Sequence, residues 1–164
     1  RNLYIYSELR KIYADCRAAN ILPPILLKGA AFLVKLYAAD FGVRHLNDID
    51  ILVLDEAQYN AVIDILLKNG YRNTTNYKET FIKNNIKIDV HTEFINSIRI
   101  SAREKIWKFD NKKIQYYSIN DFLVLEDNLD FIYTLLHSIL HHNINQIKWL
   151  VDLKLLLIKK NISY

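Results

Sequence analysis

The stretch Arg44-His45-Leu46-Asn47-Asp48-Ile49-Asp50-Ile51-Leu52-Val53 decides how this chain is read. Apolar and β-branched residues from Ile49 to Leu54 predict a strand. Strand alternation sends Ile49 and Ile51 to one face and Asp48 and Asp50 to the other. Two carboxylates at i and i+2 on the edge of a core strand reach a shared hard cation, and Mg2+ suits them, because like charges this close resist ionising together without compensation. Asp-x-Asp alone is common on solvated strand ends, so the weight falls on its surroundings.

Working outward, Asp89 stands in Lys87-Ile88-Asp89-Val90-His91, where polar and apolar residues alternate, so it belongs to a later strand and not to a loop. A third carboxylate on a neighbouring strand completes a set able to hold two metal ions about 3.5–4 Å apart. Upstream, Ile25-Leu26-Leu27 is a short apolar run, and Lys28-Gly29 follows it and opens a helical pattern through Phe32, Leu33, Leu36 and Tyr37, which Gly42 is expected to close. A glycine there lets backbone N–H groups approach a phosphate, and Lys28 adds positive charge. Strand, Lys-Gly, helix, Asp-x-Asp on the next strand and a lone Asp on a third form an ordered set far more specific than its parts.

The remaining pattern predicts an α+β protein, a mixed or antiparallel sheet with helices on one side, followed by a C-terminal helical bundle. An amphipathic helix runs from Leu3 to about Ala19, with Ile5, Leu9, Ile12, Tyr13 and Cys16 on its apolar stripe. Asp55 and Gln58 read as a capping box for a helix closed by Gly70. The period then changes to two: Tyr71 to Tyr77 and Thr80 to Asn84 are strands, Asn84-Asn85 is a tight turn, and a strand from Ile86 follows. Ser97 to Phe109 reads as a basic helical segment, Lys113 to Ser118 as a strand, and Ser118 with Asp121 as the cap of the next helix. Residues 1–119 make the α+β core in this reading and residues 120–164 a helical segment. Its stripes are Phe131, Leu135 and Ile139, then Ile147, Leu150, Val151, Leu155 and Ile158.

The 164 residues, 51% hydrophobic and 24% charged, exclude a disordered chain. The 22 Lys and Arg against 18 Asp and Glu give a net charge of +4, too small for packaging DNA, and DNA is not an expected partner. The lone Cys16 excludes an internal disulfide and any multi-cysteine zinc site, which fits a cytoplasmic protein. Apolar runs end at lysines far short of the ~20 residues a membrane span needs, so no membrane is expected. With no methionine and Arg1 first, the chain reads as part of a longer translation product.

With "LLKGAAFLVKLY", "VRHLNDIDILV", "NGY", "KIDVHTEF" and "LLHSILHHNINQIKWLVDLKLLL" in hand, nearly the whole chain resembles the nucleotidyltransferase superfamily that includes DNA polymerase beta. Within it, the chain is similar to a bacterial family of uncharacterised nucleotidyltransferases. The resemblance implies Mg2+-dependent transfer of a nucleoside monophosphate from an NTP, ATP among them, to an unknown acceptor, with release of pyrophosphate. Two Mg2+ ions are implied, with Mn2+ as a substitute, and the acceptor is RNA, a small molecule or a protein. It implies that Asp48 and Asp50 bind both metals, that Asp89 is the third carboxylate and helps deprotonate the acceptor, and that Gly29 sits at the phosphate turn. Arg44 matches a family arginine and either contacts the triphosphate or neutralises Asp48 and Asp50. Ala30 follows Gly29 where the superfamily usually has serine or glycine. That is the ground for the alternative, a non-catalytic nucleotide- or protein-binding module of antitoxin or regulator type.

Further residues are candidates for the acceptor side. His91 shares the face of Asp89 under alternation and could orient it. His137 and His141 have the spacing of two zinc ligands, but no Glu follows His137 and the surroundings are apolar, so packing or an acceptor contact is favoured. Asp152, one polar residue in an apolar helix, is expected to pair with one of these histidines across the tail helices. The basic residues Arg99, Arg103, Lys105, Lys108, Lys112 and Lys113 with Trp107, Tyr116 and Tyr117 read as a solvated face in preference to a polynucleotide track.

Overall fold

The computed structural model describes residues 1–74, 79–94, 110–142 and 146–159, with side chains through residue 140 of the third stretch. Within them the chain runs α1 (Asn2–Ala18), β1 (Ile25–Leu27), α2 (Lys28–Lys35), β2 (Ile49–Leu52), α3 (Glu56–Lys68), β3 (Arg72–Asn73), β4 (Thr80–Lys83), β5 (Ile86–His91), β6 (Tyr116–Ile119), β7 (Phe122–Leu125), α4 (Asp127–His142) and α5 (Ile147–Lys159). The described strands form one mixed sheet in the order β3-β4-β5-β2-β1-β7-β6. β2 lies parallel to β5 and β1 parallel to β7, while the other pairs are antiparallel. The fold is α+β, as the sequence predicts.

Local chemistry sets most boundaries. The Asp55 carboxylate accepts the Gln58 backbone N–H and caps α3, and the Gln58 side chain returns to the Leu54 N–H, one residue earlier than in a reciprocal capping box. At the other end Gly70, with φ +83°, lets the Tyr71 and Gly70 N–H groups reach the Leu66 and Leu67 carbonyls. Asn84 and Asn85 both have positive φ, 47° and 62°, the conformation a two-residue hairpin needs.

Several boundaries need correction. α2 ends at Lys35, where the Tyr37 N–H bonds back to the Phe32 carbonyl, well before Gly42. Ser118 and Asp121 do not cap a helix. Asn120 and Asp121, at φ 48° and 70°, instead turn a second hairpin, and residues 122–125 form β7, a sheet strand between β1 and β6. The helical part therefore begins at Asp127. The basic segment read over Ser97 to Phe109 lies outside the described residues, as do residues 75–78 of the strand read from Tyr71.

Both sheet faces are covered, not one. Ile49, Ile51, Ile88 and Val90 pack in the larger core with Ile5, Leu9, Ile12 and Cys16 of α1 and Val62, Ile65 and Leu66 of α3. On the opposite face Ile25, Leu27, Leu52 and Leu125 meet Phe94, Ile114 and Tyr133 of α4. This second face is the one toward which Asp50 and Asp89 alternate.

The tail helices also turn differently from their apolar stripes. Ile139, Leu150, Val151 and Ile158 are exposed and Ile147 is 79% exposed, whereas Asp130, Thr134, Ser138 and Asp152 are buried with Trp149, Leu153 and Leu156. Buried cations explain this rotation. Lys35 of α2 donates to the Leu125 carbonyl and forms ion pairs with Asp127 and Asp130 at 2.7 and 2.8 Å, using all three ammonium hydrogens. An unpaired ammonium inside the fold costs several kcal/mol, more than a few half-exposed aliphatic side chains lose.

Burial pushes the Asp130 carboxyl up to about 6 against the opposing charge of Lys35. Its Oδ1 and the Thr134 hydroxyl one turn on have no hydrogen-bond partner among the described residues. A carboxyl raised in the folded state binds more protons there than in the unfolded chain, so its contribution to stability falls as pH rises from about 4 to about 6. Urea midpoints of wild type and Asp130→Asn across that window should show the slope in wild type and a flatter profile in the variant. Parallel profiles would remove Asp130 as its source.

Candidate active site

The end of β1, the start of β2 and the middle of β5 bring the predicted residues together. In the β1–β2 ladder Leu27 faces Asp50, so Lys28 emerges beside Asp50. In the parallel β2–β5 pair Asp50 faces Asp89, and the two carboxylates point to the same side of the sheet. Lys28 has φ 48°, a backbone conformation that only Gly, Asn and Asp adopt readily. That turn swings the chain from strand to helix in one residue. Gly29 follows it, and a Cβ there would lie 2.5 Å from Leu46 Cδ2, so any larger residue would have to displace the buried Leu46 side chain.

Asp50 is buried, and its Oδ1 accepts from both Lys28 Nζ at 2.5 Å and His91 Nε2 at 2.7 Å. Burial alone would raise its pKa, but the Lys28 charge and the His91 hydrogen bond together hold it well below the usual carboxylate range. Asp48 goes the other way, raised by burial and then by the negative charge of Asp50, with Asp89 adding to it. Asp89 accepts from the Thr80 hydroxyl at 2.6 Å and pairs with Lys87 at 2.7 Å. His91 thus serves Asp50 across the strand pair and does not orient Asp89, a role the structure gives to Thr80, directly opposite on β4.

Lys28 and Arg44 are both committed to carboxylates. Arg44, which the sequence offered to a triphosphate or to Asp48 and Asp50, is buried and grips Asp152 of α5 through Nε and Nη2 at 2.8–3.2 Å, while Nη1 donates to the His45 carbonyl. Asp152 also accepts from the Tyr37 hydroxyl at 2.8 Å and is 0% exposed, so its partners are Arg44 and Tyr37 rather than a histidine. The sequence marks each residue, a single acid inside an apolar helix and an arginine ahead of Asp-x-Asp, but nothing in it joins the two across 108 positions. His137 is placed with its ring 5.5 Å from Trp149. His141 lies in α4, and its side chain is outside those described.

A cleft of about 120 Å3 opens here, lined among others by Gly29, Asp48, Asp50, His137, Lys148 and Trp149. Lys148 and Gln146 were not singled out from sequence. No motif marks them, and they reach the cleft only because the Arg44–Asp152 pair docks α5 against the β1–α2 turn. Among the described residues no three acidic, histidine or cysteine side chains converge as they stand on one point that could hold an ion. The donors nonetheless suit a hard cation: three carboxylates on one sheet face, one held low by its cationic partners and one held up by burial and its neighbours' charge. The compensation expected from a metal or from Arg44 comes instead from Lys28 and His91 at Asp50 and from Lys87 and the Thr80 hydroxyl at Asp89.

A seven-stranded mixed sheet with paired acids at its centre and the strand-to-helix turn of Lys28-Gly29 beside them is the setting in which the family match falls. The chain belongs to the family of uncharacterised nucleotidyltransferases, which it matches over residues 1–162, and is a transferase of that class. Among curated proteins none matches. Of solved structures, the crystal structure of ANT(2'')-Ia in complex with adenylyl-2''-tobramycin is similar at 12% identity over 94% of this chain and 88% of that chain, with a TM-score of 0.64. The solution structure of the same antibiotic-resistance factor gives 14% identity, 98% and 86% coverage, and the same score of 0.64. The Megavirus polyadenylate synthase is similar at 14% identity and a TM-score of 0.55, over 98% of this chain but 32% of that one. At these identities the likeness is one of fold. No described helix is long and apolar enough to cross a membrane.

Proposed function

We propose that this protein transfers a nucleoside monophosphate from an NTP to an acceptor hydroxyl, using Mg2+ held by Asp48, Asp50 and Asp89. The observation that carries the reading is the register of β2 and β5, which sets Asp50 beside Asp89 on one face with Asp48 two residues earlier. Bound Mg2+ would supply charge stabilisation to the phosphates and acidity to the attacking hydroxyl. Asp50 and Asp48 would be its main ligands, and Asp50 is already ionised and so needs no proton loss to bind. Asp89 would receive the acceptor proton as the acceptor oxygen bonds to the α-phosphorus and the bond to pyrophosphate breaks. Thr80 holds Asp89 in position for this. His91 and Lys28 both donate to Oδ1 of Asp50, so Oδ2 is the oxygen it would offer the cation.

The acceptor is an RNA end, a small molecule or a protein side chain. The solved relatives include one bound to an adenylylated antibiotic and one that makes polyadenylate, which supports a hydroxyl acceptor in either of the first two classes. The test is label transfer from each α-labelled NTP with Mg2+ and cell extract. Transfer that needs both Mg2+ and the protein, with equimolar pyrophosphate, is expected. Absence of transfer and of any thermal shift by every NTP at millimolar Mg2+ would leave the protein-binding form of the non-catalytic module as the reading, since ligand at 100 times its Kd adds about 2.7 kcal/mol to stability.

A further inference from the structure

The cleft beside Asp48 and Asp50 holds three cationic side chains, and two of them have carboxylate partners. Lys28 is bound to Asp50 and Arg44 to Asp152. Lys148, in the first turn of α5, forms no ion pair among the described residues, and its ammonium rests 5.3 Å from the centre of the Trp149 ring. The Arg44 guanidinium lies 5.5 Å from the same ring and the His137 ring 5.5 Å away. These contacts use the indole, so the cleft is not built to stack a nucleobase on it. They also hold the Lys148 ammonium beside the ring, at the wall of the cleft that Lys148 lines. Burial and then the nearby Arg44 charge lower the Lys148 pKa, outweighing the pull of Asp48 and Asp152, neither of which pairs with it.

The direction of the cleft says which anion. It is lined by Gly29, Asp48 and Asp50 but not by Asp89 or His91. In phosphoryl transfer the attacking and leaving oxygens lie roughly in line on opposite sides of the phosphorus. With the attacking group at Asp89, the leaving group lies toward the cleft. Asp152, one turn beyond Lys148 on the same helix, locks that helix to Arg44 and so fixes where Lys148 stands.

Taking the nucleotidyl-transfer reading as its basis, we propose that Lys148 receives the terminal phosphates of the NTP and then the departing pyrophosphate. Affinity for the polyphosphate tail is thereby set by the C-terminal helix, while Lys28 and Arg44 hold the site together.

The test is calorimetric binding of ATP and of inorganic tripolyphosphate, each with Mg2+, to wild type, Lys148→Gln and Lys148→Arg, with thermal denaturation of each. Lys148→Gln should bind both ligands roughly 10- to 100-fold more weakly, the loss expected for one charge-assisted hydrogen bond. Its thermal midpoint should match or exceed that of wild type, because a cation crowded by Arg44 is removed. Lys148→Arg should recover most of the affinity, and the NTP KM should rise in Lys148→Gln more than kcat falls. Wild-type affinity in Lys148→Gln would overturn this inference while leaving nucleotidyl transfer standing. Tripolyphosphate binding that depends on Lys148 in a protein that transfers no label would do the reverse, and a wild type that binds neither ligand would overturn both.

Discussion

Asp50→Asn should abolish nucleotidyl transfer and also destabilise the protein, although two crowded carboxylates by themselves suggest that neutralising one would relieve strain. The sign follows from what faces Asp50. Its side chain is 8% exposed and carries the Lys28 ammonium, itself 7% exposed. Removing the anion leaves that ammonium buried without a counterion, a change that costs about 3–5 kcal/mol in comparable sites. For a chain of this size that corresponds to a fall in Tm on the order of 10 °C. The acidic side tells the same story: Asp50 sits below its ordinary pKa in the folded protein, so its stabilisation is complete above about pH 4 and is lost as pH falls below that. Activity should drop on the order of 10³-fold or more, because the strongest ligand for the cation is gone. Chemical denaturation of Asp50→Asn, Lys28→Gln and the double variant separates the effects. The double variant should regain much of the lost stability and none of the activity. An Asp50→Asn protein as stable as wild type would remove the Lys28 pair from the energetics, and retained transfer would remove Asp50 from the mechanism.

The contrast between that expectation and simple carboxylate repulsion marks how far the sequence could be read. Alternation and turn chemistry are local, so β2, β5, the Asn84-Asn85 hairpin and the α3 cap were legible residue by residue. The grouping of Asp48, Asp50 and Asp89 was legible as well, since strand parity alone puts each acid on the polar side. β7 was missed because Phe122-Leu123-Val124-Leu125 is too short to show a period, and its hairpin signal, Asn120-Asp121, resembles a helix cap. What the charges do was not legible. Lys28 was read as charge for a phosphate, Arg44 as a partner of the triphosphate or of Asp48 and Asp50, and Asp152 as a partner of a tail histidine, and each proved to be paired elsewhere across the fold at separations of 22 to 108 residues. No pattern in one sequence announces such partners. The same long-range pairs rotate α4 and α5 so that an apparently good apolar stripe faces outward, and with the helices come Lys148 and Trp149.

Asp89→Asn should behave differently from the Asp50 variant at every point of measurement. Asp89 is partly exposed, and its cationic partner Lys87 is 42% exposed, so the broken pair returns to solvent at a cost of at most about 1 kcal/mol. An asparagine at 89 still offers an oxygen to the Thr80 hydroxyl, which keeps the side chain in place. Fold and melting temperature should therefore stay near wild type. Because the cleft that would take the polyphosphate is not lined by Asp89, NTP affinity should change by no more than a few-fold. Turnover should fall by about 10²–10⁴, the range for losing a positioned general base. Measuring kcat, the NTP Kd and the melting temperature on one preparation tests the division of roles. If NTP affinity collapses with turnover, Asp89 is chiefly a metal or nucleotide ligand, and the proton of the acceptor must leave by another route. If instead only kcat falls and Thr80→Val lowers it in turn, with affinity intact in both, then β4 and β5 together carry the acceptor side of the reaction while β1, β2 and α5 carry the nucleotide side.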